Sequence, residues 1–153
     1  MGIIAVVILV IFKSIFPIDM YSMEGTSMEP TIMAGQSLAL NKFDTDYQHG
    51  DVVIFKYKTG TLVKRVAALP GETIEVKEGS IFINDQKLTT PSILKVHFQS
   101  GSLQSSTTLT LGASEYFMIG DNTVQSFDSR NFGPIKFDAI LGKIRILNGD
   151  KSD

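Results

Sequence analysis

Residues Ile3 to Phe12 read IIAVVILVIF, without one polar side chain. Lys13 and Ser14 interrupt, and Ile15-Phe16-Pro17-Ile18 resume the run. A stretch that is apolar on every side leaves no face for water, which predicts a helix in lipid rather than an amphipathic helix on a core. Taken as one helix, Gly2 to Ile18 is about 25 Å long. That is a short crossing of a ~30 Å hydrocarbon core, workable if Lys13 carries its ammonium to the interface. Pro17 ends the helix. A cleaved leader would need a positive start and small residues before the cut, whereas Met-Gly precedes this run and Phe-Pro-Ile-Asp follows it. Residues 1–18 are therefore expected to form a transmembrane anchor. By the positive-inside rule, Lys13 alone would place the remainder in the cytoplasm.

After Ile18 the period changes to that of short strands and turns. Asp51 to Tyr57 is strand-like, Thr59-Gly60 turns, and Leu62 to Ala68 reads as the partner strand, broken by Pro70-Gly71. Thr73 to Lys77 and Ser80 to Ile83 predict a hairpin closed by Glu78-Gly79, with Asn84-Asp85 as the next turn. Tyr116 to Ile119 is a short apolar strand. Near the end, Ile144 and Ile146 alternate with Lys143 and Arg145. No amphipathic helix appears downstream of the anchor. Thr89 to Ser114, rich in Ser and Thr, is expected to be a long hairpin or insertion. The prediction is a mostly β, antiparallel body over residues 19–153.

Composition narrows the chemistry. The chain has 153 residues and a formal net charge of −2, so no basic surplus suggests nucleic acid as a partner. There is no cysteine, which excludes disulfides, a thiol nucleophile and Cys-bearing zinc sites. The two histidines, His49 and His97, cannot make a three-His metal site. No phosphate-cradling glycine loop and no metal-ligand spacing is present, so no metal or cofactor is expected.

Three places could carry chemistry. Ser27 follows Gly25 and precedes Pro30, so a flexible and then a stiffened backbone could expose its hydroxyl and aim its N–H outward. Lys64 lies mid-strand between Leu62 and Val66. Buried there, its ammonium would be desolvated and its pKa would fall, giving an amine able to take a proton from a serine. Arg65 must point the other way, and alternation alone leaves open which of the two is buried. The run from Gly120 to Pro134 is dense in polar groups. Asp128 and Arg130 could pair in it, and Ser126 could hydrogen-bond a lysine amine. His49 and His97 have no local partner that suggests a Ser-His-Asp triad.

Together these segments resemble the type I signal peptidases, membrane-anchored Ser/Lys proteases, over essentially the whole chain. The apolar anchor is one element. Gly25-Thr26-Ser27-Met28-Glu29-Pro30-Thr31 resembles the family's G-x-S-M-x-P-T box, and Gly50-Asp51-Val52-Val53-Ile54-Phe55 its G-D-[IV]-V-x-F strand. Val63 to Glu72 resembles the K-R-V-x-x-x-P-G-[DE] strand and turn. Gly120-Asp121-Asn122, with Ser126, Asp128-Ser129-Arg130 and Gly133, resembles G-D-N-x-x-x-S-x-D-S-R-x-x-G.

The resemblance implies a serine endopeptidase that removes signal peptides from exported preproteins, with membrane lipid around its anchor and the body on the extracytoplasmic side, against the signal from Lys13. It points to a bacterial cell membrane, with an organelle inner membrane as the lesser alternative. Ser27 matches the nucleophile, Lys64 the general base, Ser126 the hydroxyl that orients the amine, and Asp128 and Arg130 a supporting ion pair. The Ser27 N–H would be one oxyanion donor. Some relatives carry a second, a serine hydroxyl, at the position of Gly25, as many Gram-positive ones do not. Thr123 stands where relatives often carry arginine, and the basic tail that usually precedes the span is either absent or encoded just upstream of Met1, after a missed start. Met23, Met28 and Ile32, with residues flanking Lys64, are candidates for the pockets that take an A-x-A-like site. The rivals are a self-cleaving repressor, which would carry a DNA-binding domain and no anchor, and a non-catalytic, anchored, peptidase-like assembly factor for surface fibres. The presence of both Ser27 and Lys64 favours the enzyme.

Overall fold

A computed structural model describes residues 19–77, 80–88 and 108–147. The expected anchor (1–18), most of the Ser/Thr-rich segment and His97 lie outside the described residues. Among those described, no helix is long and apolar enough to cross a membrane.

Eleven strands form two antiparallel sheets. The first contains β1 (Asp19–Ser22), β2 (Ser37–Asn41), β3 (Val52–Tyr57), β4 (Gly60–Ala68), β9 (Glu115–Ile119), β10 (Ile135–Lys136) and β11 (Ile140–Ile146), in the order β1-β2-β11-β3-β4-β9-β10. The second contains β5 (Thr73–Lys77), β6 (Ser80–Ile83), β7 (Gln86–Lys87) and β8 (Thr108–Thr110), in the order β7-β6-β5-β8. The mostly antiparallel β body expected from the sequence is therefore what forms.

The local chemistry explains the hairpins. Asn84 and Asp85 both take positive φ, 48° and 65°, in a two-residue loop between β6 and β7. That is the type I′ geometry whose twist matches the flanking strands. The β3–β4 hairpin turns at Lys58 and Thr59, so Val53 faces Lys64 and Val52 faces Arg65 across the ladder. Several elements went unforeseen. β1 and β2 pair with each other at one end of the large sheet. A single helical turn, α1 (Ser129–Phe132), follows the polar loop, capped reciprocally by Asp128 and Asn131. Within the segment read as an insertion, Thr108–Thr110 forms β8 against β5.

The core has three parts. Ala67, Ala68, Ile74, Ile81, Phe117 and Ile119 join the two sheets. Val53, Phe55, Val66, Met118 and Tyr116 fill the other face of the central strands. Met23, Met28, Ile32 and Leu38 pack beneath the loop that carries Ser27.

Candidate active site

β4 sets one half of the site. Lys64 is 2% exposed. Its Nζ stands 2.6 Å from Ser27 Oγ and 3.0 Å from the Val63 carbonyl oxygen. Among the described residues, no carboxylate is in contact with the amine, so burial is only partly offset. Its pKa is lowered from 10.5 to about 8, chiefly by desolvation. Asp128 and Asp121 pull it up and Arg130 pulls it down. Arg65 takes the opposite side of the strand. Its guanidinium donates through Nε and Nη2 to the two Asp121 oxygens at 2.8 and 2.6 Å, and through Nη1 to the Gly50 carbonyl at 2.6 Å. Both neighbouring cations are thus drawn inward, but only Lys64 lacks an anion.

The loop before β2 sets the other half. Gly25 has φ +75°, which suits glycine. Glu29 N–H donates to Thr26 O and Ile32 N–H to Met28 O, which coils the segment into a tight turn. Met28 and Ile32, both 0% exposed, anchor that turn from below. They are therefore core residues and do not line the groove beside Ser27. Met23 does line it, although it too is buried and takes no part in an exposed apolar surface.

The polar run after β9 closes the site from behind. Asp128 Oδ1 accepts from the Arg130 backbone N–H and Nε, while Oδ2 accepts from Arg130 Nη2 and the Gly120 N–H. Both residues of this ion pair are at most 4% exposed. Arg130 Nη1 also donates to the Thr123 carbonyl. Phe132 on α1 stacks against Tyr57 at 4.5 Å between ring centres, fixing the loop to the β3–β4 hairpin. Gly120 sits where the loop and the Ser27 turn meet. A Cβ there would lie 2.1 Å from Ser126 Oγ and 2.5 Å from the Ser27 carbonyl oxygen. Ser126 Oγ is buried with no hydrogen-bond partner among the described residues, and the amine's second hydrogen bond goes to the Val63 carbonyl.

A groove of about 520 Å³ opens at Ser27 and Lys64. Residues 20–24 form one wall, residues 60–64 the other, and Ile54 lies between them. Leu62 and Val63 beside Lys64 were foreseen as neighbours of a pocket. Tyr21, Ser22 and Glu24 were not, because β1 went unrecognised. His49 is elsewhere, 2.7 Å from Glu72 across a separate surface hollow. Among the described residues, no group of three His, Asp or Glu side chains could hold a metal ion.

Comparison with known proteins identifies the family. The family described as "Signal peptidase, peptidase S26" matches residues 1–148. Signal peptidase I V of Bacillus subtilis (strain 168) is 36% identical, covering 94% of this chain and 92% of the relative. Signal peptidase I T of the same organism is 34% identical, covering 95% and 81%. The crystal structure of a signal peptidase I from Enterococcus faecalis V583 superposes with a TM-score of 0.53 at 28% identity, covering 67% of this chain and 97% of that one. With a match over almost its whole length, the chain belongs to the signal peptidase family, peptidase S26.

Proposed function

We propose that the protein is a serine endopeptidase that cuts signal peptides from exported preproteins, with Ser27 as nucleophile and Lys64 as general base. The observation that carries this reading is the 2.6 Å approach of the buried Lys64 Nζ to Ser27 Oγ. With a pKa of about 8, roughly a tenth of Lys64 is neutral at pH 7, far more than for a free lysine. The amine keeps one N–H on the Val63 carbonyl and turns its lone pair to the Ser27 hydroxyl. As Oγ attacks the scissile carbonyl, the proton passes to Nζ, and the ammonium then returns it to the leaving amine. The neutral amine next activates water to release the acyl group. The Ser27 N–H stabilises the oxyanion in both steps.

Asp128 and Arg130 hold the loop against Gly120 and keep the wall behind the dyad rigid. Ser126 supplies a buried hydroxyl beside Gly120 in the same loop, and its role is to orient the amine. The groove between residues 20–24 and 60–64 suits an extended peptide added as a strand. Its walls, with Met23, Leu62 and Val63, suit the small apolar side chains of an A-x-A site. Residues 1–18 anchor the enzyme in the membrane with the body on the extracytoplasmic side, where a preprotein's own apolar segment is still held in lipid.

The test is incubation of the purified full chain with a preprotein bearing a signal peptide. Wild type should release the mature protein with a single new N-terminus, and Ser27→Ala should leave the preprotein intact. Equal cleavage by both would remove Ser27 from the mechanism.

A further inference from the structure

The oxyanion donor is a backbone N–H, and a backbone N–H can be aimed only by holding its peptide plane. Two of the three atoms that would fix the Ser27 region are taken by one residue. Asn122 Nδ2 donates to the Thr26 carbonyl at 3.1 Å, and the Asn122 N–H donates to the Ser27 carbonyl at 3.0 Å. Gln125 adds a brace from the same loop, its Oε1 accepting from Thr26 Oγ1 at 2.8 Å.

The Thr26 carbonyl and the Ser27 N–H belong to one planar trans peptide, so they point in opposite directions. Pinning the carbonyl on the Asn122 side turns the N–H to the other side. Ser27 lines the groove and Asn122 does not. Among the described residues, no acceptor is paired with the Ser27 N–H. We infer that Asn122 is a positioning residue for catalysis: its side-chain amide fixes the Thr26–Ser27 peptide so that the Ser27 N–H faces the oxyanion. The inference rests on the Ser27/Lys64 reading above and adds to it a residue that never touches substrate.

The mechanism gives a specific signature. Asn122→Ala keeps its own N–H on the Ser27 carbonyl and leaves the Glu29 N–H on the Thr26 carbonyl at 3.1 Å, but loses the side-chain amide that braces the Thr26 carbonyl from the loop after β9. Asn122→Asp is nearly isosteric and replaces the donor with an acceptor facing a carbonyl oxygen. Losing an oxyanion donor outright costs ~10²–10³ in kcat, and a misaimed one should cost part of that, about 10- to 100-fold. Ground-state binding along the groove is untouched, so KM should stay within about twofold. The proton acceptor is also untouched, so the midpoint of the kcat/KM pH profile should not move.

The experiment is steady-state cleavage of a signal-peptide-spanning peptide across pH 6 to 10 by wild type, Asn122→Ala, Asn122→Asp and Ser27→Ala, with thermal melts of each. The expected result is a fall in kcat for both Asn122 variants, the Asp variant at least as impaired as the Ala, with KM, pH midpoint and melting temperature held. Wild-type kcat in both Asn122 variants, alongside an inactive Ser27→Ala, would overturn this inference and leave the dyad standing. A moved pH midpoint would assign Asn122 to the lysine instead and also overturn it. A loss that tracks melting temperature in both variants would reduce Asn122 to a structural role. An active Ser27→Ala would sink the dyad reading itself.

Discussion

Lys64 and Arg65 are adjacent cations that end in opposite electrostatic states. Arg65 is forked onto Asp121 and stays paired. Lys64 meets a hydroxyl and a carbonyl, with no carboxylate in contact, and its pKa falls to about 8. Sequence periodicity could not separate them, because both faces of β4 are buried and alternation marks only one face at a time. The depressed pKa has a cost in stability. Below pH 8 the folded protein holds a buried ammonium that would sit more comfortably in water, a penalty of about 3 kcal/mol at 1.36 kcal/mol per pKa unit. Between pH 8 and 10.5 the unfolded chain binds a proton that the folded one has lost, so stability should rise with pH across that window. Lys64→Met should abolish activity yet raise unfolding free energy at pH 7 by roughly 1–3 kcal/mol. It should also flatten the rise between pH 8 and 10, as urea titrations at several pH values would reveal. For catalysis, Ser27→Ala and Lys64→Ala should each lower kcat by about 10³-fold or more, and the double variant should be no worse, because the pair works as a unit.

At the scale of elements, the catalytic geometry is set by the contact between the loop after β9 and the turn before β2. Asp128 receives four donors from two residues, and breaking a buried pair of this kind leaves an uncompensated charge. Asp128→Ala should cost about 3–5 kcal/mol, measured by thermal or urea unfolding. Gly120→Ala tests the contact by volume rather than charge. Its Cβ would fall 2.5 Å from a backbone oxygen of Ser27, so the loop or the nucleophile must shift. Displacement near 1 Å costs about 100-fold in rate, and kinetics on a folded Gly120→Ala variant should show a loss of at least that order. The motifs made the ends of this contact visible in the sequence but not its directions. Met28 and Ile32 flank Ser27 in the chain, yet the turn drives both into the core. The Leu38/Leu40 alternation that marks β2 was present to be read. β1 had little to signal it, being four residues with no β-branched side chain. α1 was too short to show a helical period, and only its Asp128/Asn131 cap pair identifies it.

For the whole molecule, β1 begins at Asp19, directly after the predicted span, and its side chain pairs with Lys42. β1 then runs on as one wall of the groove. The predicted anchor and the substrate site are therefore consecutive along the chain. The full enzyme should process membrane-held preproteins efficiently. A form lacking residues 2–18 should still cleave short peptides at near wild-type rate while losing most activity on the membrane-held substrate, a comparison made by assaying both substrates with both forms. The catalytic expectations depend on one claim, that a neutral, buried lysine takes the serine proton. The most direct test is the pH dependence of kcat/KM for a signal-peptide substrate under conditions where chemistry limits the rate. The account predicts a single ascending limb with a midpoint near 8, far below a free lysine. A profile flat from pH 6 to 9 would contradict it.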